Sequence, residues 1–528
     1  MTPRRAPWLG ALLLALAVGA CAKTPEPEPE PEPEPASEPS EPVIQEPLTS
    51  LAVADPSELV DADLKELTRL ELALAVGDGA ARAAAGGDAV TEDACAGLDL
   101  VALAERTPKL TALRVSGCGD ALQAGLGAFA DRVRTLELAD VELDEVLVGR
   151  VSQFQNLETL TLTRVKAPEG ETLPSTVGRG LARVERLNLR ELEKNSTLGD
   201  VLGDLPRLRH VNLEGKWAGY RAMLSLAKAR KLETLGLVDT AVNNFALNQL
   251  KPLHRLREVR WTGPNVNDMS PLYLHDLPVE RFSCSCARLG DAGLRHLSRI
   301  PTLKEIELLQ SRVSEEGLEP LAKLPELERL TVLYRDLGSV AFESLAACPA
   351  LRELTLGRAE LLDPDAEHLD ELVELRKLQL WFPNFGDKAA SRLGALTKLE
   401  QLDLGGTAVS DVGLAALADL DRLRVLKLHH TRVTNRGLAH VGKLAGLEVL
   451  ELDHTDVVDA GVEHLASLRA LRELRLDHTL VTDAAIEHLT NMRRLERLNL
   501  ASTVVSRDGA TPLADLPELR VLTLEPRR

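Results

Sequence analysis

The sequence predicts an α/β solenoid, with a parallel β-sheet on its concave side and helices on its convex side. Three observations predict it. Apolar residues recur every 24 positions, as Leu399, Leu423, Leu447, Leu471, Leu495 and Leu519 show. The first half of each copy alternates apolar and polar residues, which is the period of a strand. The second half spaces its apolar residues three apart, along one face of a helical turn.

The copy that starts at Leu399 shows both halves. Leu402 and Leu404 point inward, while Gln401, Asp403 and Gly405 point out. Leu414, Leu417 and Leu420 then share one face. Ser410, Thr434 and Thr482 stand where a helix N-cap belongs, with Asp411 and Asp483 just inside to meet the helix dipole. Each copy carries seven inward apolar positions, and burying one such side chain contributes roughly 1.5–3 kcal/mol. A lone copy has nothing to bury them against, so the copies must stack. Tracing starts backward from Leu519 gives spacings of 23, 24 or 27 residues and reaches Leu110, making eighteen copies.

Each copy reads L-x-x-L-x-L-x-x-T-x-V, then S/T-D-x-G-L-x-x-L-x-x-L. This resembles the leucine-rich repeat family across residues 110–528. It is similar to bacterial repeats of the ribonuclease-inhibitor-like and F-box-associated kind. The resemblance implies a horseshoe-shaped leucine-rich-repeat solenoid. In that family an Asn at position nine satisfies loop backbone; here Thr240, Thr407, Thr431, Thr455, Thr479 and Thr503 stand there, and their hydroxyls are expected to do similar work. Ubiquitin-ligase adaptors among the F-box relatives carry an F-box segment that this sequence lacks, so only the fold transfers.

The segment before the repeats reads differently. Arg4 and Arg5 precede an apolar run, Leu9–Val18, as in a signal peptide over residues 1–20. Val18-Gly19-Ala20-Cys21 resembles the lipobox of bacterial lipoproteins, which implies lipidation of the Cys21 thiol after cleavage. Ala22 in place of Asp favours the outer membrane by the same resemblance, with the periplasmic or surface face left open. Residues 21–47 are rich in Pro and Glu, which alternate through much of 24–42; they cannot bury a core and are expected to form an extended stalk. Residues 48–109 are expected to be an N-terminal helical cap, with an amphipathic helix over 56–76 and a degenerate copy at Ala80–Val90. The last strand, Leu519–Leu524, has no helix after it, and Pro526, Arg527 and Arg528 are expected to blunt its open edge.

Composition narrows the partners. The 528 residues carry 62 Lys and Arg against 81 Asp and Glu, a formal charge of −19, which argues against nucleic acid and against a polybasic membrane surface. Of six cysteines, Cys21 is assigned to lipid. Cys284 and Cys348 fall on inward positions, Cys286 reads as a free thiol, and Cys95 could pair with Cys118.

Two groups of residues offer chemistry. His429, His430 and His440 lie close in sequence, but the register puts the first two at the end of a strand and His440 on a convex helix. Across copies, position eight holds His430, His454 and His478, beside His429, Asp453 and Asp477. Such a ladder is compatible with zinc or copper, although duplication of one Asp-His-Thr copy accounts for it more simply. The other group is apolar. Leu309, Leu333 and Trp381 share outward position seven, and Tyr334 and Phe382 share position eight. Gly357 and Gly405 flank Trp381, and Arg335 and Arg358 supply a polar rim. Only fourteen residues of the chain are aromatic, so three on an outward face suggest a partner site. The opposing reading folds Trp381 over the glycines and tucks Phe382 under the loop at Pro383.

No phosphate loop, nucleophile elbow or HExxH pattern is present. The expectation is therefore a monomeric, non-enzymatic, lipid-anchored envelope protein without a cofactor, binding a protein, peptide or glycan and touching membrane only through its lipid. The alternatives are a structural or adhesive envelope component, or a metal-binding protein.

Overall fold

The computed structural model describes residues 50–53, 64–65, 67–73, 98–117, 119–167, 181–193, 196, 198–361 and 366–524. The signal peptide, Cys21, the Pro/Glu stalk, the Ala80–Val90 copy, the Cys95–Cys118 pair and residues 526–528 lie outside them.

Among the described residues, twenty parallel strands form one sheet. Each pairs with the next in chain order, from Ser50–Val53 beside Arg69–Ala73 to Arg497–Asn499 beside Val521–Thr523. The register advances by one copy per strand: Leu402 lies opposite Leu426, and Leu426 opposite Leu450. The sheet forms the concave side and short helices the convex side. Leu399, Leu402, Leu404, Val409, Leu414, Leu417 and Leu420, the seven apolar positions of one copy, are all at most 1 % exposed. The three-residue spacing of the last three has a direct consequence. Asp411–Leu414 is one α-turn, and Ala415–Leu417 continues as a 3₁₀ turn, whose period is three.

The stack begins earlier than residue 110. Residues 69–73, inside the expected capping helix, form a strand that pairs with Ala112–Ser116. Leu67, Leu70 and Leu72 occupy positions one, four and six of a further copy, and all are fully buried. Residues 50–53 add another strand beside it. On the last described strand the inward Leu522 is 36 % exposed, with no further coil packed on it among the described residues.

Two devices tie coil to coil. In most copies position eight ends the strand in the left-handed region, at ten non-glycine residues, among them Asp140, Arg164, Tyr334, Arg358, His430 and Ser502, and at four glycines, Gly117, Gly215, Gly263 and Gly406. The position-eight amide still donates to the position-seven carbonyl of the next copy, as from Tyr334 to Gly357 at 2.9 Å and from His454 to Asp477 at 3.1 Å. This turn bends the chain off the sheet without breaking the ladder.

The second device is on the convex side. Asp411 does not simply face its own helix terminus. Its carboxylate accepts from the Thr434 amide at 2.8 Å and the Thr434 hydroxyl at 2.7 Å, one copy later. The same pair of bonds joins Asp387 to Ser410, Asp459 to Thr482 and Asp483 to Ser506. The Ser506 hydroxyl and amide hold the Asp483 carboxyl below the usual range. Position nine works as expected in five copies, where the hydroxyls of Thr407, Thr431, Thr455, Thr479 and Thr503 donate to the carbonyl three residues back, while the Thr240 hydroxyl accepts from the Val242 amide at 3.4 Å.

The cysteines depart from expectation at one place. Cys286 is not a free thiol; it is fully buried and disulfide-bonded to Cys284. Its copy lacks the left-handed turn at position eight, so that side chain enters the core. Cys348 is free and buried, and burial pushes its thiol up to about 12. No helix among the described residues is long and apolar enough to cross a membrane.

Candidate functional site

The left-handed turn at position eight aims successive side chains along one edge of the concave face. That edge holds both groups singled out in the sequence.

Tyr334 and Arg358 are consecutive position-eight residues, with φ of 60° and 59°. The Arg358 guanidinium lies 5.7 Å from the Tyr334 ring centre and 5.4 Å from that of Trp381, and its Nη1 donates to the Tyr334 hydroxyl at 2.9 Å. A cation placed between two ring faces is attracted by both quadrupoles. Tyr334 is 48 % exposed and Arg358 is exposed, so the cluster faces solvent. Trp381 is half-buried, with the Arg358 guanidinium over its ring.

The other members of the expected patch go elsewhere. Phe382 is fully buried, because its copy takes no left-handed turn at position eight and the side chain tucks under the loop that reaches Phe385. Leu333 is only 8 % exposed, too little to anchor a partner. Arg335 turns back, donating to the Val313 carbonyl at 2.9 Å. Leu309 is half-buried and lines a different concave depression of about 680 Å³, with Arg186, His210, Asn212, Arg260 and Arg281. Pairing across strands accounts for much of the mixed charge on the face, for example Arg281 with Glu258 at 2.7 Å and Arg329 with Glu305 at 2.8 Å. The register alone could not reveal the depression. At Gly236 the Asn212 side chain lies across the space that a Cβ would fill.

Further along the edge the histidines gather. The His429 ring lies over Gly405, so closely that a Cβ there would come within 2.1 Å of Nε2. His430, His454 and His478 stack with ring centres 4.1 Å apart at each step. His440 belongs to the convex helix Asn435–Val441 and takes no part. Asp453 and Asp477 are 6 % and 7 % exposed and lie beside the stack. Burial, and then the neighbouring His430 and His478 rings, hold the His454 imidazole below the usual histidine range.

Residues 337–528, which contain Arg358, Trp381 and the whole histidine stack, match the family of leucine-rich repeat regions. The fold is a leucine-rich-repeat solenoid. Solved structures of this kind resemble it at low sequence identity. An internalin from Listeria monocytogenes is 20 % identical over 65 % of this chain and 88 % of its own, with a TM-score of 0.41. A leucine-rich-repeat protein of Leptospira interrogans is 17 % identical over 77 % of this chain and 99 % of its own, with a TM-score of 0.45. The plant peptide hormone receptor RGFR1, solved with RGF2, is 15 % identical over 79 % of this chain and 78 % of its own, with a TM-score of 0.34. No curated protein matches the chain.

Proposed function

We propose that this leucine-rich-repeat protein is a non-enzymatic binding protein whose concave edge takes a protein or peptide. The reading rests on the Tyr334–Arg358–Trp381 cluster, in which Tyr334 and Arg358 are exposed and Trp381 half-buried. Aromatic and arginine side chains dominate binding energy where they can be desolvated by a partner. Here two rings and a guanidinium are already ordered against one another, which lowers the entropy lost on association. Lipid on Cys21 and the Pro/Glu stalk would hold this surface at the outer membrane of the cell envelope.

Capture from envelope extract, with the wild type and with Tyr334→Ala, Arg358→Ala and Trp381→Ala combined, tests the reading. The wild type is expected to retain a partner that the triple variant loses. Equal capture by both would remove the cluster from the account. Loss of fatty-acid labelling in Cys21→Ala tests the anchor.

One observation favours a structural or adhesive role instead. On the convex side Tyr220 and Phe245 stack 5.0 Å apart while remaining 40 % and 66 % exposed. If Tyr220→Ala with Phe245→Ala abolished capture and the concave variant did not, that reading would replace the first.

A further inference from the structure

The histidine stack is built of two triads. His429, His430 and Asp453 form one; His454, Asp477 and His478 form the other; in each, the three ligand atoms lie within 4.8 Å of one another. Neither triad is part of the Tyr334–Arg358–Trp381 cluster.

Three features set these triads apart from a solvated face. First, the two carboxylates are buried at the foot of the rings, whereas His430, His454 and His478 are exposed and His429 is half-buried. Second, Asp453 Oδ1 is buried with no hydrogen-bond partner. The Arg475 Nε is 3.7 Å from it, beyond hydrogen-bond reach. A buried carboxylate oxygen in that condition is costly unless something completes it. Third, Asp477 is oriented from behind: Asn499 donates to its Oδ1 at 2.7 Å, and its Oδ2 faces His478 Nδ1 at 3.4 Å. Ligands of metal ions are commonly steered by such an outer partner.

The backbone does not require histidine here. Position eight needs only to reach the left-handed region, and glycine, aspartate, arginine, glutamate, tyrosine and serine fill it in other copies. Duplication accounts for a recurring Asp-His-Thr. It does not account for a buried carboxylate oxygen without a hydrogen bond beside two imidazoles.

We propose that each triad binds one divalent transition-metal ion of the zinc type through two imidazoles and one carboxylate. Imidazole and carboxylate together suit zinc, nickel and copper rather than calcium or magnesium. Zinc takes such ligands at about 2.0–2.2 Å. The exposed rings close onto the ion by rotating, while the buried carboxylates stay fixed. Solvent supplies the remaining ligands. Local charge favours a cation: Asp403, Glu451, Asp453 and Asp477 outnumber Lys427 and Arg475, which are the cations paired with them along this face.

The test is equilibrium dialysis of the full chain against micromolar zinc chloride, with bound zinc measured by elemental mass spectrometry. The comparison is a variant with His430→Gly, His454→Gly and His478→Gly. Glycine already holds the same turn at Gly117, Gly215, Gly263 and Gly406, so the substitution leaves the backbone conformation available. The wild type is expected to bind two more zinc ions than this variant, and His454→Gly with His478→Gly to lose one of them. Equal zinc on the wild type and the triple variant overturns the proposal, because any zinc then sits on other ligands. A second readout uses the wild type alone. Zinc should protect His429, His430, His454 and His478 from diethylpyrocarbonate and leave His440 and His464 reactive. Unprotected stack histidines would likewise overturn it.

Discussion

The amide of His430 donates to the carbonyl of Asp453 at 3.0 Å while His430 itself sits at a φ of 54°. One residue thus ends the strand, keeps the ladder bond and directs its side chain along the concave edge. The left-handed conformation costs a non-glycine residue about 1–2 kcal/mol, and a β-branched residue most of all. Ser502 occupies the same position in the copy after His478 and belongs to neither triad, with a φ of 56°. Ser502 already bears that cost, so Ser502→Val should lower stability only by the added β-branched penalty, about 1 kcal/mol. Ser502→Gly should stay near wild type, because the strain it relieves is offset by glycine's greater freedom in the unfolded chain. Urea titration followed by circular dichroism measures both.

Asp411 should matter well beyond its own helix. Asp411→Ala removes two charged hydrogen bonds to Thr434 and should cost about 2–4 kcal/mol. Asp411→Asn should recover part of that, because Asn435 in the same column still accepts from the Val458 amide at 2.9 Å. Each coil contacts only its neighbours, so faster hydrogen exchange should concentrate in residues 411–458 and leave the copies near residue 210 unchanged.

Glu258 makes acid stability testable at one residue. Burial raises its pKa, but hydrogen bonds and charge from Arg281 and Arg260, at 2.7 and 2.6 Å, outweigh burial and hold the carboxyl below the ordinary glutamate value. The folded state therefore releases this proton more readily than the unfolded chain. The stabilisation is fully present above the unfolded pKa of about 4.3 and is lost as pH falls through the lower folded value. Between pH 6 and pH 3 the urea midpoint of the wild type should fall more steeply than that of Glu258→Gln. Parallel curves would contradict this.

Much of the fold could be read along the chain because the inward leucines are periodic. Leu402, Leu404, Leu414, Leu417 and Leu420 all fall where the spacing puts them. The copy around Leu67, Leu70 and Leu72 carried the same signal but sits 43 residues before Leu110, so a scan at 24 residues passes over it. The candidate sites were less legible, because outward residues are placed by backbone turns rather than by hydrophobicity. Phe382 and Tyr334 share a position number, yet only Tyr334 takes the left-handed turn. Arg358 read as a rim residue, but it lies between two rings that are 47 positions apart in sequence. Asp411 looked like a local helix signal because its partner, Thr434, is 23 residues away.

The stacking of equivalent coils is best tested by excision. Removing residues 423–446 deletes one whole coil and should join Leu399's coil to that of Leu447 with every inward position kept in register. That variant should melt cooperatively with an unchanged strand signature. Removing residues 423–434 alone leaves half a coil and should disrupt folding of the copies around it. If both excisions were tolerated equally, or if both unfolded the protein, coil-on-coil stacking would not be what holds this chain together.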